Sequence, residues 1–399
     1  MAWGNGYTYR TTAVIAASQV TGTLTDDLSA LVSLSSTNLK TVANGGSVQN
    51  TVTQTGLAIT IPADFLVTSD AAGSTQITGV DFEAYDPVGG TALLRVRVPG
   101  AVVGKTIYIF YDNASVTTQQ GTPTNAYDSN YLLFWHFQDN AANTNVLDST
   151  SNGRTGTSLL SNTNALSAPG KVGLCFNFAG TSTQALSLAS ATALNAYPIT
   201  ISLWCKYSEN HADIGGIFGK YTGNSLNGWS IHTNGGKTLA WFFTDGTASN
   251  CVYPGGDGMS YGTGLNDSAW HHYAFVVNSS GGAIYLDGTQ VGSTLAWTGT
   301  AQAPSSTELV RVASLSGVGG GFLSASSGVA NCDEARLCSS ARSAAYIGAE
   351  YNNENAPLTF WTLTYDQLFT SSGYGPDQNS AIINPALIQT TYASNITCY

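Results

Sequence analysis

Leu94-Arg95-Val96-Arg97-Val98 is the stretch on which the fold turns. Apolar and charged side chains alternate there with a period of two. Successive side chains on a pleated strand point to opposite sides, so this is the spacing of a strand with one buried face. The alternation places Leu94, Val96 and Val98 in a core and turns both arginines outward. Neighbouring segments carry the same strand signature, bounded by Gly, Asn, Asp and Ser: 9–16, 28–34, 80–85, 92–98 and 106–111.

Composition extends that reading to the whole chain. Of 399 residues 43% are apolar and only 9% charged, and there are 44 glycines. The length predicts two or three domains, each able to bury a core of its own. Most acidic residues are Asp, which favours turns and caps, whereas helical surfaces are usually built with Glu, Lys and Arg. Thirteen basic against 24 acidic residues give a net charge of −11 with the cations scattered singly, so nucleic acid is excluded as a partner. No apolar run approaches the roughly 20 residues of a spanning helix, so no membrane insertion is expected. Met1-Ala2-Trp3-Gly4-Asn5-Gly6-Tyr7 shows neither a basic nor an apolar leader region. The expectation is a signal removed earlier, or export by another route such as assembly into a virus particle.

A polar stretch at 117–125, rich in Thr, Gln, Gly and Pro, marks a domain boundary. Beyond it a second strand series runs through 131–137, 173–178, 185–188, 199–206, 215–220, 228–232, 238–243, 271–278, 283–286, 308–313 and 332–338. Only 343–351 has helical character. Many even strands without alternating helices predict antiparallel sheets packed face to face. After Phe360 the chain turns to Gln, Asn, Thr and Ser with isolated apolar residues. The expected organisation is therefore all-β: two antiparallel β-sandwich domains, 1–125 and 126–363, and a C-terminal tail or assembly arm at 364–399. The six cysteines follow no metal spacing. Cys205 is in phase with Ile199, Ile201 and Leu203, which predicts a buried free thiol.

The second series resembles the laminin-G-like (LamG), concanavalin-A-like jelly-roll modules of phage and bacterial surface proteins. The pieces that carry the resemblance stand in the family's order. They are Leu133-Phe134-Trp135-His136-Phe137, the loop Asp148-Ser149-Thr150-Ser151-Asn152-Gly153, Ile199-Thr200-Ile201-Ser202-Leu203-Trp204, Trp270-His271-His272-Tyr273, Ile284-Tyr285-Leu286-Asp287-Gly288 and Cys332-Asp333-Glu334-Ala335-Arg336-Leu337. The first 125 residues resemble a β-rich family of unassigned function that precedes such modules, through Trp3, Tyr9-Arg10, Leu94–Val98 and Ile107-Tyr108-Ile109-Phe110-Tyr111. Two departures stand out: Cys332 replaces an aliphatic residue, and the tail has no counterpart.

The resemblance implies a Ca²⁺ held by Asp148, Asn152 and Asp333, because hard oxygen donors suit that ion. The alternative is that Asp148 caps its own turn and Asp333 is a satisfied edge residue. Asp333 is expected to share an inward face with Ala335 and Leu337. The same fold carries glycosidases, which need two closely spaced carboxyl groups. Their Glu-x-Asp-x-x-Glu run is absent. Asp81 and Glu83 have i, i+2 spacing but read as a solvated face. His271-His272 puts one imidazole inward and one outward, with a core histidine bonded to a carbonyl as the expected role. No Gly-x-Ser-x-Gly elbow or phosphate loop occurs, so no enzyme is expected. Trp229, Tyr253, Tyr261 and Trp297 are the candidate glycan-binding aromatics, since sugars offer apolar faces ringed by hydroxyls.

The functional expectation is a non-enzymatic virion surface structural protein: a capsid decoration, head fibre or tail appendage with a glycan-binding or adhesion role. Its partners would be further copies of itself, other virion proteins and a host surface glycan. The alternative is a bacterial cell-surface or extracellular carbohydrate-binding adhesin, or the binding part of a polysaccharide-degrading enzyme.

Overall fold

The computed structural model describes residues 5–57, 59–179, 184–208, 214–221, 225–256, 258–316, 320–322 and 329–367. The fold is all-β, two antiparallel sandwiches with one substantial helix wedged between them.

In the first sandwich a three-stranded sheet, ordered Leu28–Ser35, Thr91–Val98, Val80–Asp86, faces a four-stranded one. The alternation of Thr91–Val98 decides the packing. Leu94, Val96 and Val98 are fully buried and meet Ala13, Ile15, Ile107 and Ile109 from the opposite sheet. The arginines correct the expectation. Arg97 lies at the surface, paired with Asp27 at 2.7 Å, but Arg95 is only 1% exposed. The second face of this sheet is covered by the other domain, a fact that a local period cannot report.

The second domain is a jelly roll of two large sheets. One runs Ser167–Pro169, Leu174–Ala179, Val329–Cys338, Ile199–Tyr207, His271–Asn278, Gly281–Leu286, Thr289–Leu295, with Tyr131–Trp135 also paired to Val329–Cys338. The other centres on Val310–Val312, Gly215–Lys220, Gly228–Asn234 and Lys237–Phe243. Trp135, Phe137, Phe176, Ile201, Leu203, Ile217, Trp229, Ile231 and Phe275 fill the space between. Cys205 is a buried free thiol as expected, directly across from Cys332 with the sulfurs 3.8 Å apart. Cys398 lies outside the described residues.

The helix Ala344–Asn355 starts where Ser343 Oγ accepts a bond from Tyr346 N at 3.1 Å. Its Tyr346, Ile347 and Ala349 join the first sandwich's core, along with Ala274, Val276 and Tyr285 from the outer face of the jelly roll. One apolar core therefore runs across the domain junction. Asn353 grips an open sheet edge: its Oδ1 accepts from Leu31 N (2.6 Å) and its Nδ2 donates to Leu31 O (2.8 Å).

The domain boundary at 363 needs correction. Trp361–Gln367 is a strand that pairs antiparallel with Tyr9–Ile15 and completes the four-stranded sheet of the first sandwich. Trp361 Nε1 donates to Leu31 O at 2.8 Å, and Arg10 pairs with Asp366 at 2.9 Å. The chain thus leaves the first sandwich near residue 125, builds the jelly roll and returns. Residues 368–399, the rest of the expected arm, lie outside the described residues. No helix among the described residues is long and apolar enough to cross a membrane.

Candidate functional site

Two β-bulges, one in each sandwich, aim a glutamate into the junction. In Val80–Asp86 the register against Thr91–Val98 shifts between Phe82 and Ala84, leaving Glu83 as the extra residue. In Val329–Cys338 the register against Ile199–Tyr207 shifts between Ser202 and Trp204, and Glu334 takes φ 55°, the left-handed region. Ala330, Cys332, Ala335 and Leu337 all face the jelly-roll core. The extra residue moves Asp333 off the face of Ala335 and Leu337, which corrects its expected inward placement.

Arg95 joins the two bulges. Its Nε meets Glu83 Oε1 at 2.7 Å, Nη1 meets Glu354 Oε1 at 2.9 Å, and Nη2 meets Glu334 Oε2. Arg336 pairs with the same Glu334 Oε2 at 2.7 Å, with Glu350 at 2.9 Å and with Glu354. The two guanidinium groups lie over the Phe134 ring, 5.0 and 4.4 Å from its centroid. His136 Nδ1 is 2.9 Å from Glu334 Oε1 and 3.0 Å from Glu83 Oε1. Its Nε2 is 2.6 Å from Tyr127 Oη, which in turn donates to Asp81 Oδ2 at 2.7 Å. Ser202 and His272 hold Glu350, each at 3.0 Å, and Trp204 Nε1 donates to Glu354 at 2.7 Å.

All of these charged groups are buried. Burial opposes ionisation of Glu83, but His136 and Arg95 outweigh it and hold the carboxyl down at about 2. Burial likewise opposes a charged His136, yet Glu83 and Glu334 raise it to about 10, so the imidazolium persists at neutral pH. Asp81 is pushed up to about 6, burial dominating over the pull of His136. A pocket of about 110 Å³ opens beside this seam, between Thr55–Leu57 and Asp81 of the first sandwich and His136, Gln138, Asp139 and Asp148 of the second.

Glu83, His136 and Glu334 bring ligand atoms within 4.8 Å of one another. Their donor chemistry does not suit a metal. Both carboxylates already face guanidinium groups, Glu83 that of Arg95 and Glu334 those of Arg95 and Arg336, which leaves a cation no charge to neutralise.

The expected calcium ligands are each engaged within the protein, Asp148 and Asn152 in one loop and Asp333 on a strand. Asp148 accepts four bonds, from Phe134 N (3.0 Å), Thr150 N (3.0 Å), Thr150 Oγ1 (2.9 Å) and Arg154 N (2.8 Å). Asn152 donates through Nδ2 to Tyr131 O at 2.9 Å. Asp333 Oδ2 accepts from Lys171 N (2.8 Å) and Val172 N (2.9 Å), while its Oδ1 has no partner among the described residues. Burial, with Glu334 alongside, raises Asp333 well above the usual carboxylate range. An Asp148 filled by four protein donors and an Asp333 held by the backbone of Lys171 and Val172 do not fit a calcium cage; the capping alternative describes Asp148.

The expected glycan aromatics are packed inward. Trp229 (0% exposed) is in phase with Ile231 in the jelly-roll core, and Tyr261 (3%) donates to Ala274 O at 2.9 Å. Trp297 is half-buried, donating to Asn278 O at 2.7 Å, and Tyr253 packs on Phe243 with ring centroids 5.0 Å apart. The structure does not bring these four together as an open rim.

Asp81 and Glu83 are buried rather than solvated. His272 bonds a carboxylate, not a carbonyl, and His271 Nδ1 sits 2.8 Å from Asp287 Oδ2. A usable signal for the seam was present. The chain has six glutamates, and four of them, Glu83, Glu334, Glu350 and Glu354, meet here. A glutamate inside an apolar strand of so lightly charged a chain calls for a buried partner.

With fold and junction in place, comparison with known proteins is informative for the second domain. Residues 179–348 match the concanavalin A-like lectin/glucanases superfamily. The superfamily match lies within the jelly roll and stops short of the strand that returns to the first sandwich. No curated protein matches the chain. Among solved structures, similarity extends to the binding domain of botulinum neurotoxin DC in complex with rat synaptotagmin II, at 10% identity and TM-score 0.41 over 56% of this chain and 52% of that one. The botulinum neurotoxin type G receptor binding domain shows 10% identity and TM-score 0.39 over 56% and 51%. The binding domain of Paraclostridial mosquitocidal protein 1 gives 11% identity and TM-score 0.40 over 56% and 52%. The chain spans about half the length of these structures.

Proposed function

We propose that this chain is a non-catalytic surface protein of a virion, a capsid decoration, head fibre or tail appendage, that displays its jelly roll toward surface glycans. The observation that carries the non-catalytic part of the reading is the seam. The acid–base groups that could do hydrolytic chemistry, Glu83, Glu334, Glu350, Glu354 and His136, are buried and neutralised by two arginines and by each other. They serve to hold two sandwiches in one orientation, and buried ion pairs are best attested as devices of specificity and register. The returning strand Trp361–Gln367 and the continuous core add to the same rigidity. A lightly charged surface rich in hydroxyl and amide groups suits exposure outside a cell.

The test is to incubate the full chain with purified particles and with host cells, and to measure co-sedimentation, oligomeric mass and glycan-array binding. Particle attachment with glycan retention and no release of reducing ends from polysaccharides is expected. Catalytic release of sugar, or recovery only with a bacterial membrane fraction, would overturn the reading.

A further inference from the structure

We infer that the outer face of the jelly roll carries a subsite for a saccharide bearing a carboxylate, built on Asn177, Asn331 and Lys206. The inference rests on the glycan-binding part of the proposed function and names its ligand chemistry.

The three residues form one row. Asn331 is directly opposite Asn177 on one side and Lys206 on the other, so three adjacent strands place polar side chains in register. Their sequence neighbours Phe176, Phe178, Cys205, Ala330 and Cys332 face the core, which puts the row on the outer face. Along Ile199–Tyr207 the same face is covered at Ser202 and Trp204, where Glu350 and Glu354 of the helix bond to them. The helix ends at Asn355. Lys171 closes off the covered region, its Nζ bonded to Asn355 Oδ1 at 2.7 Å and 4.6 Å from the Trp204 ring centroid. Beyond that fence the face opens into a cleft of about 540 Å³ walled by Pro169, Ser208 and Ser268.

The cleft's groups point to a ligand of mixed character. Lys206 brings an ammonium that has no carboxylate within ion-pair distance among the described residues, and it leans on the Trp270 ring at 5.0 Å. Asn177 Oδ1 is a buried acceptor with no partner among the described residues, which leaves a hydrogen-bond donor wanting. Asn331 is anchored through Nδ2 to Cys175 Sγ at 3.4 Å. Asp267, next to the wall residue Ser268, is engaged with His271 at 3.5 Å. A carboxylated sugar matches these groups in turn. Its carboxylate meets Lys206, a ring hydroxyl donates to Asn177 Oδ1, and an apolar ring face lies by Trp270.

The test is titration of the full chain with oligosaccharides ending in glucuronate or N-acetylneuraminate and with neutral counterparts, read by saturation-transfer NMR and calorimetry. Lys206→Gln, Lys206→Arg and Asn177→Ala are compared with the parent after their melting curves are matched. Acidic saccharides are expected to bind in preference to neutral ones. Lys206→Gln should weaken that binding by at least about tenfold, Lys206→Arg should restore most of it, and Asn177→Ala should lie between. Acidic saccharides bound equally well by Lys206→Gln and Asn177→Ala, or neutral ones preferred, would overturn the subsite and leave glycan binding standing. No retention of any saccharide would overturn the glycan reading itself.

Discussion

Replacing Arg95 by Met tests the seam directly. The substitution keeps the length and apolar stem of the side chain and removes the cation that faces Glu83, Glu334 and Glu354. Stripping one partner from a buried charge pair costs about 3–5 kcal/mol. Here every carboxylate keeps at least one other cation, since His136 still faces Glu83 and Glu334 while Arg336 still faces Glu334 and Glu354. The low end of that range therefore applies, about 3 kcal/mol. Loss of the guanidinium over Phe134, 5.0 Å from the ring centroid, adds about 1 kcal/mol. The expected total of about 4 kcal/mol is a large share of the roughly 5–15 kcal/mol typical of a folded protein. Guanidinium unfolding monitored by tryptophan fluorescence measures it at pH 7. The deficit should shrink in acid: Glu83 is depressed to about 2, so its ionic contribution is complete above about 4.5 and fades as pH falls through 2. Arg95→Met with Glu83→Gln should recover part of the loss, because one buried negative charge goes with the cation. A deficit below about 1 kcal/mol at pH 7, the range of exposed pairs, would refute the claim that the seam is buried and coupled.

Three further outcomes are expected. His136 is raised from 6.5 to about 10, so its contribution is complete below pH 6.5 and lost as pH rises through 10; stability should decline over that window, and His136→Gln should flatten the decline in denaturant midpoints. Melting in EDTA and in millimolar calcium should coincide, because Asp148 is saturated by four protein donors, and a calcium-dependent rise would show that the loop rearranges into a cation site. Truncation after residue 360 should destabilise the first sandwich by removing an edge strand and the Trp361 bond to Leu31, whereas truncation after residue 367 should leave melting nearly unchanged while abolishing oligomer formation or particle attachment; calorimetry and light scattering separate the two.

Much of this architecture was legible along the chain, and the reason is locality. Strand periodicity, Gly- and Asn-bounded turns and the order of the jelly-roll pieces depend on neighbouring residues, and they identified an all-β chain of two sandwiches. Leu94, Val96 and Val98 entered the core as their spacing required, and Cys205 fell in phase with Ile201 and Leu203. Asp148 proved a turn cap, a role its short side chain favours wherever backbone N–H groups converge.

The contacts that only the tertiary structure decided lie on the other face of each strand. A period of two tells which side chains travel together, not which surface covers them. Arg95 and Arg97 look alike in sequence, yet one is buried beneath the jelly roll and the other stays at the surface. The bulges at Glu83 and Glu334 each add one residue to a strand, and a single extra residue reverses the facing of the side chains beyond it. Trp361–Gln367 comes directly after the helical segment of the second sandwich and joins a sheet of the first, pairing residues at opposite ends of the described chain, as in Arg10 with Asp366. Those contacts exist because two surfaces with matching charges and apolar patches are pressed together, and no short window of sequence contains both.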